Sequence, residues 1–258
     1  MDVNKNYFTT SDGVKLFYRI SGTGNPLVIL SGYTQDTTGF SKNYEELGKH
    51  FTVYTFDYRA HGLSDTPEYG YHIERLAKDF YEFMEHVELD KTFLLAHSMG
   101  NAVAWCYFSI FGQDKIMKYI LEDEAPCLIV DPTWSEEEKE MYTGIFQKKD
   151  IWEPLIPLSS VTEQEQPEPT LRDKMLTRLL RDHLARDWRD IIPTIKIPTM
   201  ILMGGASHFA SPLLWNWLQD NIKGSELQVI TAEENGTHGM HSANPEKFNK
   251  LVVDFLLS

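Results

Sequence analysis

An α/β fold with a mostly parallel central sheet flanked by helices is predicted by three observations. Unbroken apolar runs such as Leu27-Val28-Ile29-Leu30 read as strands buried on both faces. Ile73 to Val87 carries apolar or aromatic residues at 73, 76, 77, 80, 83, 84 and 87, the spacing of a helix with one buried face. The two signals alternate along most of the 258 residues, and that alternation calls for parallel strands covered on both sides.

In order, Tyr7 to Thr10 and Val14 to Ile20 are extended runs joined by Ser11-Asp12-Gly13, a hairpin by its turn residues. Leu27 to Leu30 is the first parallel-type strand, followed by a loop and a helix ending near His50, and Phe51 to Phe56 is the next strand. After the helix at 73–87 come a strand at Phe93 to Ala96, a helix from Ala102 to Phe111, and strands at Tyr119 to Leu121, Met200 to Met203 and Leu227 to Ile230. A helix from Glu246 to Leu257 closes the chain.

From Cys127 to Ile192 no strand signal appears, and the composition turns to Glu, Lys, Arg and Trp. This reads as a helical cap, 127–192, inserted into a core domain made of 1–126 and 193–258. Ser135 with Glu138 forms a capping-box pattern, and Thr170 with Asp173 a second one. Ser159 to Pro169 between them is a polar, Pro-containing loop. Beyond it, positions 171, 175, 176, 179, 180, 184 and 188 put an apolar face on one helix, which packs on the body, on a second copy, or as a lid over the strand ends where open parallel sheets bind ligands.

Composition narrows the function classes. With 24 basic against 38 acidic residues the formal net charge is -14, which argues against nucleic acid or an anionic membrane as partner, since phosphate binding needs clustered Lys and Arg. No apolar run reaches membrane-spanning length. Cys106 and Cys127 are the only cysteines, a usage that suits buried thiols of a reducing compartment, so a cytoplasmic location is expected. Gly22 and Gly24 are followed by Asn25-Pro26, which ends any helix before it could cradle a phosphate.

Chemistry concentrates in four segments. Ala96-His97-Ser98-Met99-Gly100 joins an apolar strand to an apolar helix, the order in which a sharp turn lifts a nucleophile above the sheet, with Ala96 where the pattern G-x-S-x-G has its first Gly. The other three are Leu30-Ser31-Gly32-Tyr33, Asp57-Tyr58-Arg59-Ala60-His61-Gly62-Leu63-Ser64, and His238-Gly239-Met240-His241-Ser242-Ala243-Asn244-Pro245-Glu246. A serine hydroxyl needs an imidazole within hydrogen-bond reach to take its proton. Of nine histidines, His238 is the candidate because it follows the last strand and precedes the terminal helix, at the sheet edge that holds Ser98. His61, His97 and His241 read as structural. Two histidines at 238 and 241 without a third ligand nearby make a weak metal signal, so no metal is expected.

Together and in this order, the four segments resemble the α/β-hydrolase fold superfamily over nearly the whole chain outside the insertion, with small capped carboxylesterases and the cofactor-free haloperoxidase group closest in pattern. The resemblance implies an α/β-hydrolase fold with Ser98 as nucleophile, His238 as base, and the backbone N–H groups of Tyr33 and Met99 as oxyanion donors. Ser31 departs from the usual His of its segment, and Ala60 from a Gly. Relatives of the dehalogenase and epoxide hydrolase type attack with Asp, whereas position 98 is Ser.

The acid is the largest departure. In many relatives it follows the strand matching Thr199 to Met203, but here that segment reads Gly204-Gly205-Ala206-Ser207. Some relatives carry the acid one strand earlier, where this chain has Glu122-Asp123-Glu124. Asp123 fits that location best, Glu124 is the alternative, and three acids on a solvated turn is the reading without function. The expectation is a serine hydrolase that needs no cofactor and cleaves a small, fairly apolar ester or lactone. Perhydrolysis or cofactor-free haloperoxidation with the same triad, and a ligand receptor on the same fold, are the alternatives.

Overall fold

The structure, a computed structural model, describes residues 6–128 and 168–258. Eight strands form one sheet in the order β1-β2-β4-β3-β5-β6-β7-β8. They are β1 (Asn6–Thr9), β2 (Lys15–Gly22), β3 (Asn25–Leu30), β4 (Phe51–Phe56), β5 (Thr92–His97), β6 (Ile116–Glu122), β7 (Thr199–Gly204) and β8 (Glu226–Ile230). The hairpin β1–β2 and the pair β2–β4 are antiparallel, and every pair from β4 through β8 is parallel. All carboxyl ends of the parallel set therefore share one edge, where open α/β sheets bind ligands.

The apolar runs show why these strands sit inside. Side chains alternate across a strand, so a run without polar residues needs cover on both faces. Leu27 and Ile29 of β3 join the cluster containing Leu95, Ile120 and Leu202, which Phe248, Val252 and Phe255 cover. Val28 and Leu30 point the other way, into a larger cluster with Leu94, Ala96, Leu121, Phe80, Val103 and Trp105.

Helices α2 (Ile73–His86) and α3 (Met99–Phe111) supply the second cover, and α7 (Pro245–Leu257) the first. The remaining described α-helices are α1 (Tyr44–Leu47), α4 (Leu171–Leu184), α5 (Pro212–Asn221) and α6 (Met240–Ala243). The helix expected to end near His50 is only the four residues of α1.

Within the insertion only α4 and its flanks are described. The Thr170 capping box forms as expected: its side chain accepts from the Asp173 N–H while the Asp173 carboxylate accepts from the Thr170 N–H. The apolar face buries Met175, Leu179 and Leu184 but leaves Leu171 exposed. Polar contacts fix α4 on the core: Asp182 accepts from the Ile73 N–H at 2.9 Å, and Arg186 pairs with Glu74. The Ser135 capping box, most of the 159–169 loop, Trp134 and Trp152 lie outside the described residues.

Candidate active site

Three strand ends converge on one point. Ser98 follows β5 at φ 52°, ψ −131°, a left-handed conformation that a side chain resists by roughly 1–3 kcal/mol. Neighbouring groups enforce the turn: the Ser98 N–H donates to Glu122 O at 3.0 Å, and the Asn101 N–H donates to Ser98 O at 2.7 Å. Gly100 has no substitute here, because a Cβ would lie 2.4 Å from Leu30 O. Ala96, in contrast, sits inside β5 paired with Leu30 and Leu121, where a methyl group is buried without conflict, so the missing first Gly does no harm.

His238 lies on the loop between β8 and α6. Its Nε2 is 2.9 Å from Ser98 Oγ, and its Nδ1 is 2.7 Å from Asp123 Oδ2. Asp123 follows β6, fully buried and also left-handed at φ 48°. Its Oδ1 accepts from the Gly204 N–H at 2.9 Å, and its Oδ2 accepts from the Ser207 hydroxyl. A buried carboxylate needs such donors to remain charged. Burial pulls the His238 pKa down, but the Asp123 hydrogen bond and charge, with Glu124 and Glu122 behind, outweigh it and leave the value above the ordinary one.

The neighbouring acids are committed elsewhere. Glu124, the alternative to Asp123, accepts from the Ala125 N–H at 2.8 Å and lies 3.5 Å from His183 Nε2 of α4. Glu122 faces His241, with Oε1 2.8 Å from Nδ1. All three acids are buried, so they are not a solvated turn.

Tyr33 and Met99 flank the serine as the motif order requires. Among the described residues no carbonyl or side chain accepts from either N–H, and Met99 opens α3, where the first N–H groups have no partner within the helix. Gly32 brings this loop close, since a Cβ there would lie 3.1 Å from Ser98 Cβ. His61 props the loop from behind: the Thr34 N–H donates to its Nε2 at 3.1 Å, and its Nδ1–H donates to Arg59 O at 3.0 Å. That tautomer is neutral, in keeping with a pKa pushed down by burial to about 4. A cleft of about 490 Å3 opens beside His61 and Thr34, bounded by Arg19 and Arg172, and neither Ser98 nor His238 lines it.

The segment 57–64 makes this placement rigid. Asp57 accepts from the Thr37 and Leu63 N–H groups at 2.6 and 2.8 Å, and buried Arg59 forms a two-pronged pair with Asp79. Ala60, where the resembling pattern has Gly, is left-handed at φ 62°.

Among the described residues one group of ligating side chains lies together, His97, Glu122 and His241. The Glu122 Oε1 contact with His241 Nδ1 at 2.8 Å and the Gln35 and His238 contacts of His97 occupy its nitrogens and one oxygen, while Glu122 Oε2 is buried without a partner among the described residues. Cys106 and Cys127 are buried, and burial raises the Cys106 thiol to about 12, far from reactive. No described helix is long and apolar enough to cross a membrane.

Motif order in the sequence picked out Ser98 and His238, the strand end pointed to by the resemblance gave Asp123, and the three meet in the structure. It missed Ser207, Gly204 and Gln35. Ser207 had been noted only for the carboxylate it lacks, although a hydroxyl there is the complement of an acid one strand away.

Known proteins share this fold. The family described as alpha/beta hydrolase fold matches residues 25–188, and the chain belongs to it. The AB hydrolase superfamily protein YisY of Bacillus subtilis is 28% identical, over 96% of this chain and 98% of its own. Serine hydrolase BPHL of Mus musculus is 25% identical, over 95% and 84%. Among solved structures, the esterase EaEST of Exiguobacterium antarcticum superposes with a TM-score of 0.77 at 23% identity, covering 98% of this chain and all of that one.

Proposed function

We propose that the chain is a serine hydrolase that cleaves a small, fairly apolar carboxylic ester or lactone through an acyl-enzyme. The observation that carries the reading is one continuous line of contacts, Ser98 Oγ to His238 Nε2 at 2.9 Å and His238 Nδ1 to Asp123 Oδ2 at 2.7 Å. Asp123, accepting from Nδ1–H, leaves the Nε2 lone pair facing the hydroxyl. As Ser98 Oγ attacks the carbonyl carbon, its proton passes to Nε2, and the Asp123 charge stabilises the imidazolium. The carbonyl oxygen gains a negative charge and takes hydrogen bonds from the Tyr33 and Met99 N–H groups, each worth about 3 kcal/mol in comparable sites. The imidazolium then protonates the departing alkoxide. Water, deprotonated by His238, attacks the acyl-serine, and the collapse returns the proton to Oγ with release of the acid.

Cofactors do not enter this scheme. The insertion 127–192 is read as a cap over the strand ends of a core made of 1–126 and 193–258, supported by α4 reaching Glu124 at the end of β6. Two cysteines, both buried, suit a reducing, cytoplasmic setting. The relatives named as a serine hydrolase and an esterase support the same chemistry.

A fluorophosphonate probe tests the nucleophile: stoichiometric labelling of the wild type and none of Ser98→Ala is expected, with steady turnover of short-chain nitrophenyl esters or lactones. Labelling unaffected by Ser98→Ala would end this reading, and labelling without turnover would favour a ligand receptor.

A further inference from the structure

Behind the site lies a polar bridge, half-buried at Gln35, that the mechanism above does not use. Gln35 stands in the loop that carries Tyr33, with its side-chain amide 3.1 Å from the N of Gly32, the residue before the oxyanion donor. The amide lies 2.9 Å from His97 Nδ1, the accepting nitrogen of a ring kept neutral by burial, and, turned so that its NH2 faces the ring, it donates to Nδ1. On the other side of that ring, Nε2–H donates to the backbone carbonyl of His238 at 2.8 Å, and the two imidazoles lie 4.8 Å apart, centroid to centroid. His97 is buried, adjoins Ser98 in sequence and packs edge-on against His241, which is held by Glu122 and stacked on Phe40 at 4.1 Å. One amide and one imidazole therefore join the oxyanion loop, the elbow and the base loop, three segments far apart in sequence.

We propose that Gln35 and His97 are positioning residues that hold the Tyr33 N–H and the His238 imidazole in register with each other across Ser98. This rests on the serine hydrolase reading. The physical reason is that both groups act on the same transition state, one on the oxygen and one on the proton, and the two loops are joined here by Gln35, whose amide also faces His241 Nε2 at 3.5 Å, and by His97. Held separately, each loop would drift by tenths of an ångström, enough to weaken both functions together. The effect falls on kcat, because ground-state binding of the ester does not require that register.

The side chain of Gln places its amide nitrogen near the position of a histidine Nε2, whereas that of Asn does not reach it. With kcat expressed per fluorophosphonate-reactive molecule, so that misfolded protein drops out, His97→Asn and Gln35→Met are each expected to lose kcat about tenfold with KM within about twofold. His97→Gln, which keeps a donor for the His238 carbonyl, should recover most of that loss. The double variant Gln35→Met/His97→Asn should be little worse than either single one, since one bridge is cut in both. Unchanged kcat in His97→Asn, or losses that multiply in the double variant, would overturn the proposal while leaving the nucleophile assignment intact. A wild type that the probe fails to label would remove both.

Discussion

The ends of β6 and β7 lie side by side in the sheet, paired in register from Tyr119 with Thr199 to Glu122 with Leu202, yet they bring opposite chemistry to the same histidine loop. β6 ends in three buried carboxylates, each turned to a different imidazole: Glu122 to His241, Asp123 to His238 and Glu124 to His183. β7 ends in Gly204-Gly205-Ala206-Ser207, which supplies no acid but gives Asp123 an N–H and a hydroxyl. The strand end that lacks the carboxylate has become the donor shell of the carboxylate next door. An acid position is thus defined by what it faces and what faces it, and adjacent parallel strands can exchange the two roles.

The comparison breaks first at Asp123. Asp123→Asn keeps the shape but removes the charge that orients and stabilises the imidazolium, and kcat on a nitrophenyl ester is expected to fall on the order of a thousand- to ten-thousandfold. Glu124→Gln should change kcat less than about threefold, because its carboxylate faces Ala125 and His183. Equal losses in the two variants would mean that the acid is not localised at 123.

A second variant asks whether the strand ends really are interchangeable. Adding Ser207→Asp to Asp123→Asn places a carboxylate on the β7 side while leaving an amide where the acid stood. Recovery of at least about tenfold in kcat over Asp123→Asn alone is expected, since an imidazole needs only a properly placed carboxylate. No recovery would show that the β6 position carries geometry that β7 cannot reproduce.

How much of this was legible beforehand follows from the same contrast. The sheet strands were readable because parallel strands buried on both faces are apolar throughout, and α2 because one face of it is. Ser98 and His238 were readable because the turn at one and the loop at the other are carried by local motifs with fixed chain order. Asp123 carried no local motif and was chosen by the strand end that some relatives use and by the Ser at 207; what separates it from its neighbours, their contacts with His241 and His183, lies in the fold. Ser207 and Gln35 were illegible for the same reason: each acts through a partner more than sixty positions away, at a spacing with no period to detect.

Ser207→Ala tests the donor role more gently. Hydrogen bonds to charged groups contribute about 1.5–3 kcal/mol, of which only part is expressed in the transition state, so kcat/KM is expected to fall about three- to tenfold. The wild-type acid limb should lie above pH 6.5, because the His238 pKa is raised from that value and only the neutral ring accepts the Ser98 proton. Removing the Ser207 donor leaves the Asp123 Oδ2 oxygen to the His238 ring alone and should move that limb further up. The stability contribution of the same contact runs the other way with pH: it is fully present below the unfolded-chain value of 6.5 and is lost as pH rises through the folded value. A limb at or below 6.5 in a kcat/KM profile would contradict the His238–Asp123 pairing.

The smallest effect concerns strain rather than charge. Ser98 and Asp123 end their strands in left-handed conformations at φ 52° and 48°, and Ala60, at φ 62°, shares that conformation without touching the site. If strain persists at 98 and 123 because their side chains are needed there, relieving it at 60 should stabilise the fold and spare the chemistry. Ala60→Gly removes roughly 1–2 kcal/mol of left-handed penalty. It also gives up one buried methyl, worth about 0.8 kcal/mol. The net gain of about 0.2–1.2 kcal/mol corresponds to a rise of up to about 5 °C in Tm for a chain of this size. Thermal melts and ester turnover of the same preparation check both halves. A lower Tm would mean that the buried methyl outweighs the backbone, and a changed kcat would mean that the loop propped by His61 is more tightly linked to the oxyanion donors than its contacts with Thr34 and Arg59 require.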